Sequence, residues 1–205
     1  MFYSIIRFIA VVLYKVLFRI QVFGRENIPS NGGFILAGNH ASYLDPPALA
    51  VACPRQVYFL AKEELFVGLF GRLITKLHAF PVKGQPGELI ALRRAIKELQ
   101  SGRVLLVFPE GRRTADGEFD RPRPGVGFLA VRAGVPIVPA FIEGSNRALP
   151  VHSKFIRPVK IRVYFGRPFF PEAAAELDRE ELYQKVAART MEEIGRLKDK
   201  AIHGN

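Results

Sequence analysis

Residues 34–52 read Phe34-Ile-Leu-Ala-Gly-Asn-His-Ala-Ser-Tyr-Leu-Asp45-Pro-Pro-Ala-Leu-Ala-Val-Ala52. Phe34–Ala37 is a compact apolar run between Gly33 and Gly38, the pattern of a buried strand. Pro46–Ala52 reads as a short helix, because proline fits the first turn, where its missing N–H costs nothing. Asn39-His40-Ala-Ser-Tyr-Leu-Asp45 joins the two as a polar loop.

The pattern repeats outward from this unit. Val57–Ala61 and Phe80–Val82 read as strands, with an apolar helix over Glu64–Leu77 between them that carries Gly68 and Gly71. Leu89, Leu92, Ile96 and Leu99 recur at helical spacing and predict a helix over Glu88–Gln100. Val104–Phe108 is β-branched and aromatic, hence a strand. Val126–Ala133 is a helix closed by Gly134. Ile137–Ile142 and Ile161–Phe165 are strands, and a polar amphipathic helix runs from Glu180 to Lys198. Upstream, a short extended segment after Ile20 leads to a turn over Gly24–Pro29. Strands separated by helix-length segments predict an α/β fold with a mixed, largely parallel central sheet flanked by helices. There is no internal repeat, and Arg121-Pro-Arg-Pro124 is a rigid basic loop.

Composition narrows the function. The chain has 205 residues, 49% of them hydrophobic and 24% charged, values that exclude a disordered chain and a polytopic membrane protein. Its single cysteine, Cys53, excludes a disulfide framework and any cysteine-clustered metal site, and it reads as a small core residue. The formal charge is +11, and twenty of the thirty cations are arginine. From Pro171 onward eight acidic residues face six basic ones, so the positive excess sits in the body of the chain. An anionic partner is implied: a phospholipid surface, a phosphorylated substrate, an acidic carrier protein or nucleic acid. No run interleaves aromatics with cations as single-strand nucleic-acid binding requires, so nucleic acid is set aside.

Residues 1–20 read MFYSIIRFIAVVLYKVLFRI, and sixteen of the twenty are apolar. The uncharged stretch between Arg7 and Lys15 is too short to span a bilayer. A small-residue cleavage site is lacking, which argues against a signal peptide. On a helical wheel Ser4, Arg7, Lys15 and Arg19 fall within an arc of about 120°. Two readings are open: a terminal helix packed on the protein's own core, or a helix lying in the lipid headgroup region with cations up and aliphatic side chains down. The width of the apolar face favours the second, with an N-terminal membrane-associating helix over 1–20 and one domain over 21–205.

Two motifs carry chemistry. In the first, His40 is the side chain suited to accept a proton near neutral pH, and a carboxylate on its other ring nitrogen would fix its tautomer. On one helix Asp45 would lie about 140° from His40, so the backbone must turn between them. Asp45 before Pro46 is equally an N-cap, and a carboxylate can serve both roles. The second motif is Val107-Phe-Pro-Glu-Gly-Arg-Arg-Thr114. Gly111 allows close approach, Arg112 and Arg113 offer a forked anion site, and Glu110 can orient a guanidinium or a substrate hydroxyl. The competing reading is a charged surface turn. Both motifs follow a strand, where open α/β sheets bind ligands. A Gly-x-Ser-x-Gly elbow and a Gly-x-x-x-x-Gly-Lys phosphate loop are both missing, and His78, His152 and His203 have no metal-ligand spacing.

Asn39-His40-x-x-x-x-Asp45 followed by Phe108-Pro109-Glu110-Gly111-x-Arg113-Thr114 resembles the glycerolipid acyltransferases, specifically the 1-acyl-glycerol-3-phosphate acyltransferase family. Leu77-His-Ala-Phe-Pro-Val82 resembles the family's second block and Val135-Pro-Ile-Val-Pro139 its fourth, while Arg123-Pro-Gly125 sits where the family has a basic residue before glycine. The resemblance covers residues 20 to 170. It implies transfer of a fatty acyl group from an acyl-CoA or acyl carrier protein thioester to the sn-2 hydroxyl of lysophosphatidic acid, giving phosphatidic acid in phospholipid biosynthesis. His40 is the implied general base, oriented by Asp45, without a covalent acyl-enzyme, metal or cofactor. Glu110, Gly111, Arg113, Thr114, Lys83 and Arg123 are the implied substrate-binding residues, with an N–H near Gly111 for the oxyanion. The implied location is the cytoplasmic face of the cell membrane, monotopic or peripheral. Gly84 occupies the family's usual arginine position, with Lys83 or Arg112 left to compensate. The acceptor therefore stays open between lysophosphatidic acid, other lysophospholipids and glycerol 3-phosphate. A non-catalytic basic membrane-binding module is the alternative from another class.

Overall fold

The structure, a computed structural model, describes residues 2–82, 87–114, 118–172 and 178–203. In chain order the elements are α1 (Phe2–Leu17), β1 (Gln21–Phe23), β2 (Phe34–Gly38), α2 (Asp45–Ala52), β3 (Val57–Lys62), α3 (Gly68–Lys76), β4 (Ala79–Val82), α4 (Gly87–Gln100), β5 (Val104–Val107), α5 (Gly125–Ala133), β6 (Ile137–Glu143), α6 (Ser145–Ala148), β7 (Arg162–Phe165) and α7 (Arg179–His203). The strands form one sheet in the order β1-β7-β6-β2-β5-β3-β4. All neighbours run parallel except β6 and β7, so the sheet is mixed and largely parallel, as the sequence predicts.

β2 lies at the centre, and all five of its residues are buried. A strand covered on both faces must be apolar throughout, which is why Phe34–Ala37 shows no alternation. Phe34 and Leu36 point into the layer formed with α1 and α2, while Ile35 and Ala37 point into the layer formed with α4, α5 and α7. Burial of Phe34, Ile35 and Leu36 contributes roughly 1.5–3 kcal/mol each. Pro81 sits in β4, the edge strand, where a missing N–H breaks no ladder.

The connections place the site. From β2 the chain crosses through α2 to β3, and from the adjacent β5 it crosses through α5 to β6 on the other side of β2. α2 and α5 belong to opposite layers. The segments leaving β2 and β5 therefore diverge to opposite faces and open a crevice at the carboxyl ends of two paired strands. Register keeps those ends level, with Ala37 opposite Val107.

Four local expectations need correction. The helix expected over Glu64–Leu77 begins only at Gly68; Glu63–Leu65 is a short 3-10 turn. Gly68 adopts φ +62, and a Cβ on Gly71 would fall 2.2 Å from the Phe66 carbonyl carbon, so the chain folds back tightly where the glycines permit it. Leu89, assigned to the apolar stripe of α4, is 57% exposed; Ala91, Ala95 and Leu99 are the buried residues. Asp45 opens α2 without capping it: Pro46 and Pro47 carry no N–H, and the N–H of Ala48 goes to the Leu44 carbonyl at 3.0 Å. Arg7, assigned to a headgroup-facing arc, turns inward: its guanidinium donates to the carbonyls of Cys53 at 2.7 Å and Ala50 at 3.4 Å, at the electronegative end of α2.

α1 has two apolar faces. One packs on α2, with Tyr14 and Phe18 in the same cluster as β2. The other leaves Phe2, Ile5, Phe8, Ile9, Val12, Leu13 and Val16 exposed. Among the described residues no helix is long and apolar enough to cross a membrane.

Candidate active site

Beyond Gly38 the chain leaves the sheet, but Asn39 extends the ladder with its side chain. Its Nδ2 donates to the Ile142 carbonyl at 3.1 Å and its Oδ1 accepts the Ile142 N–H at 2.7 Å, a peptide-like pair that fixes the exit direction of the loop. The next residue, His40, lays its ring parallel to that of Phe108, with centroids 4.0 Å apart. His40 Nδ1 lies 3.0 Å from Asp45 Oδ2. The same Asp45 oxygen accepts the main-chain N–H groups of Ala41 and Ser42, each at 2.7 Å. The carboxylate is fully buried. The turn demanded by the five-residue spacing is thus made around the carboxylate itself. With Nδ1 facing an anion, Nε2 is the nitrogen left to accept a proton.

The second motif closes over this loop from β5. Glu110 is buried to 1% exposure, and its two oxygens accept the main-chain N–H groups of His40 at 2.9 Å and Asp120 at 3.1 Å. Burial pushes its carboxyl above the usual carboxylate range, and the two main-chain donors offset part of the rise. Thr114 donates its N–H to the His40 carbonyl at 2.9 Å. The peptide groups flanking the imidazole are therefore held at N–H and C=O alike by the second motif. Gly111 adopts φ +68, where a Cβ would meet the Arg123 side chain at 2.7 Å. Its own N–H is donated to the Phe108 carbonyl at 3.0 Å and is therefore not free for an oxyanion.

The arginines divide. Arg112 pairs with Asp120 on the surface. Arg113 lays its guanidinium over the Tyr43 ring, 3.5 Å from the centroid, and its Nη1 is buried without a hydrogen-bond partner. Arg123 is exposed, its main-chain N–H bonded to Pro109 at 2.8 Å. The structure thus brings His40, Asp45, Glu110, Gly111, Arg113 and Thr114 to one crevice, with Arg123 at its rim. Lys83 and Gly84 lie outside the described residues. The sequence reading missed Phe108, Tyr43 and Asn39, whose roles depend on contacts across separate segments. It also missed Tyr14 of α1, whose hydroxyl donates to the Leu44 carbonyl at 2.8 Å, one residue before Asp45. Cys53 is fully buried, and burial raises its thiol, in keeping with a core residue.

A mixed α/β sheet whose strand-end crevice joins a histidine–carboxylate pair to an arginine defines a class in which an alcohol or amine can be deprotonated beside an anion. Residues 19–143 match the model of the family described as Acyltransferase, and the chain belongs to that family. It is 29% identical over 184 residues to the 1-acyl-sn-glycerol-3-phosphate acyltransferase of Bacillus subtilis, covering 88% of this chain and 89% of that protein. It is 26% identical to the chloroplastic 1-acyl-sn-glycerol-3-phosphate acyltransferase BAT2 of Brassica napus, where the match covers 83% of this chain and 50% of the relative. The crystal structure of the 1-acyl-sn-glycerophosphate acyltransferase PlsC from Thermotoga maritima superposes with a TM-score of 0.79 at 29% identity, covering 96% of this chain and 79% of that one.

Proposed function

We propose that the chain transfers a fatty acyl group from an acyl-CoA or acyl carrier protein thioester to the sn-2 hydroxyl of 1-acyl-glycerol 3-phosphate, giving phosphatidic acid. The observation that carries the reading is the 3.0 Å pair between His40 Nδ1 and Asp45 Oδ2, which leaves Nε2 as the ring nitrogen free to take a proton. Nε2 takes the hydroxyl proton as the acceptor oxygen attacks the thioester carbonyl. Asp45 stabilises the imidazolium that forms. The tetrahedral intermediate collapses, the C–S bond breaks, and the imidazolium returns the proton to the departing thiolate. The acceptor attacks directly, so no acyl-enzyme forms.

Arg113 binds the acceptor phosphate. Its buried, unpartnered Nη1 supports this role, because an anionic oxygen there would satisfy a donor that is otherwise costly to bury. Glu110 and Thr114 serve binding by fixing the His40 main chain rather than by touching the phosphate, since their polar atoms are already engaged. Arg123, exposed at the rim, adds positive charge toward the headgroup. The exposed apolar face of α1 supports residence at the lipid–water boundary, and the cytoplasmic face of the cell membrane is the location that completes this proposal.

Acyl transfer from a labelled thioester to a panel of lysophosphatidic acid, other lysophospholipids and glycerol 3-phosphate tests the reading. Fastest transfer to lysophosphatidic acid, abolished by His40→Ala, is the expected result. Preference for another lysolipid would overturn the acceptor assignment, and full activity in His40→Ala would overturn the mechanism.

A further inference from the structure

The segment between α6 and β7 carries a feature that acyl transfer does not use. From Gly144 to Pro171 the chain holds no acidic residue, but it holds Arg147, Lys154, Arg157, Lys160, Arg162 and Arg167. At the tip of this stretch Lys154-Phe155-Ile156-Arg157 is exposed throughout, with Phe155 at 80% and Ile156 at 52%. The tip is held in place. Ser153 donates its N–H to Pro150 at 2.9 Å, Phe155 donates its N–H to the Ser153 hydroxyl at 3.1 Å, and Arg157 donates its N–H to Ala148 at 2.8 Å across the base of the loop. An ordered loop that presents two large apolar side chains to water, flanked by cations, has the composition of a membrane wedge.

Its position fits that role. The Ser42 hydroxyl donates to the Leu149 carbonyl at 2.8 Å, tying the loop's entry to the His40–Asp45 turn. Ile161 donates its N–H to Phe18 at 3.0 Å, tying its exit to the end of α1. Val159 packs on the same cluster as Tyr14 and Phe18. The loop therefore stands at the mouth of the crevice and continues the side of the molecule that α1 occupies.

We propose that residues 152–157 form a second membrane-inserting element. Phe155 and Ile156 enter the acyl region of an anionic bilayer, while Lys154 and Arg157 hold lipid phosphates, so that α1 and this loop together set the crevice at headgroup depth. The proposal rests on the reading of α1 as interfacial, and the test separates the two. An acidic protein partner would match the charge but not the protruding Phe155 and Ile156.

The chain contains no tryptophan, so Phe155→Trp and Val16→Trp are each single-fluorophore reporters. Added to the full chain, phosphatidylglycerol vesicles should blue-shift both, and brominated acyl chains should quench both. Phosphatidylcholine vesicles should shift Trp at 155 less. A shift at 16 without one at 155 overturns the loop proposal and leaves α1 interfacial. A shift at 155 alone keeps the loop's insertion but overturns the interfacial reading of α1 and, with it, the joint placement of the crevice. No shift at either overturns both. A response at 155 to acyl carrier protein but not to vesicles overturns the proposal in favour of a protein docking site. The double variant Phe155→Glu, Ile156→Glu should weaken partition onto phosphatidylglycerol vesicles at least about tenfold, while transfer to a monomeric short-chain acceptor keeps its rate. Unchanged partition would overturn the assignment.

Discussion

Glu110 Oε1 accepts the main-chain N–H of His40 at 2.9 Å, a bond between residues 70 positions apart. Its second oxygen serves Asp120, so the side chain answers two main-chain donors with one carboxylate. Glu110→Gln can answer only one and turns an NH2 toward the other. An unsatisfied buried donor costs about 1–3 kcal/mol. The expected outcome is that loss, measured by urea denaturation, together with a fall in kcat larger than any rise in acceptor KM, because the imidazole is displaced while Arg113 stays. A pH series adds a sign. Burial raises the Glu110 carboxyl, so the folded protein binds that proton more tightly than the unfolded chain. The associated stability is full below the unfolded value of 4.5 and is lost as pH rises through the folded one. Wild type should therefore gain stability over Glu110→Gln as pH falls through that window. A pH-independent difference would refute the ionised, buried carboxylate.

Asp45→Asn separates holding from charge. Asp45 Oδ2 takes three donors, while Oδ1 has no partner. An asparagine can place its oxygen on the three donors and its NH2 at the unpartnered position. The turn should survive with little change in Tm, but the imidazolium loses its counter-charge. Rate should fall by about 10²-fold or more, with circular dichroism unchanged. His40→Ala should lose at least about 10²–10⁴-fold in rate with vesicle binding retained. Parallel loss of fold and rate in Asp45→Asn would mean that the carboxylate is structural first.

The central strands, the α/β class and the meeting of the two motifs were legible because each follows from a local signal: an unbroken apolar run, a helical period, a glycine such as Gly134 just past a helix. Helix α3 was misjudged because apolar content survives a fold-back that only the geometry at Gly68 and Gly71 reveals. The family resemblance implies Glu110 as a substrate ligand, and the sequence does not show that both its oxygens are engaged by main-chain donors. Its partner His40 lies 70 residues away, and Asp120 donates through a main-chain atom, which no residue type encodes. The same limit hid Tyr43 and Phe108, whose value lies in what stacks on them.

Tyr43 supplies the next expectation. Its ring sits under the Arg113 guanidinium at 3.5 Å and holds the fork in a fixed plane. Such a contact is worth about 0.5–2 kcal/mol, and it acts on phosphate binding rather than on proton transfer. Tyr43→Ala should raise the acceptor KM roughly 2- to 30-fold with kcat and thioester KM near wild type. Tyr43→Phe should restore binding, since the ring face is kept. A kcat defect with unchanged acceptor KM would remove Tyr43 from the binding role.

Tyr14 links the N-terminal helix to the same centre. Its hydroxyl, 2% exposed with the rest of the side chain, donates to the Leu44 carbonyl at the start of α2. Tyr14→Phe removes one of the two donors to that carbonyl, which keeps the Ala48 N–H at 3.0 Å, at a cost of about 0.5–1.5 kcal/mol. Because Leu44 adjoins Asp45, kcat should drop several-fold without a change in acceptor KM. Alkaline pH supplies an independent check. Burial, and then the Asp45 charge, raise the Tyr14 phenol well above its ordinary value of 10.0. Its contribution to stability is therefore intact below the unfolded value and lost as pH rises toward the folded one. The stability gap between wild type and Tyr14→Phe should be constant up to about pH 9 and narrow above pH 10. A gap that widened there would mean that the phenol ionises in the folded state and that α1 is held to the catalytic turn by something other than this hydrogen bond.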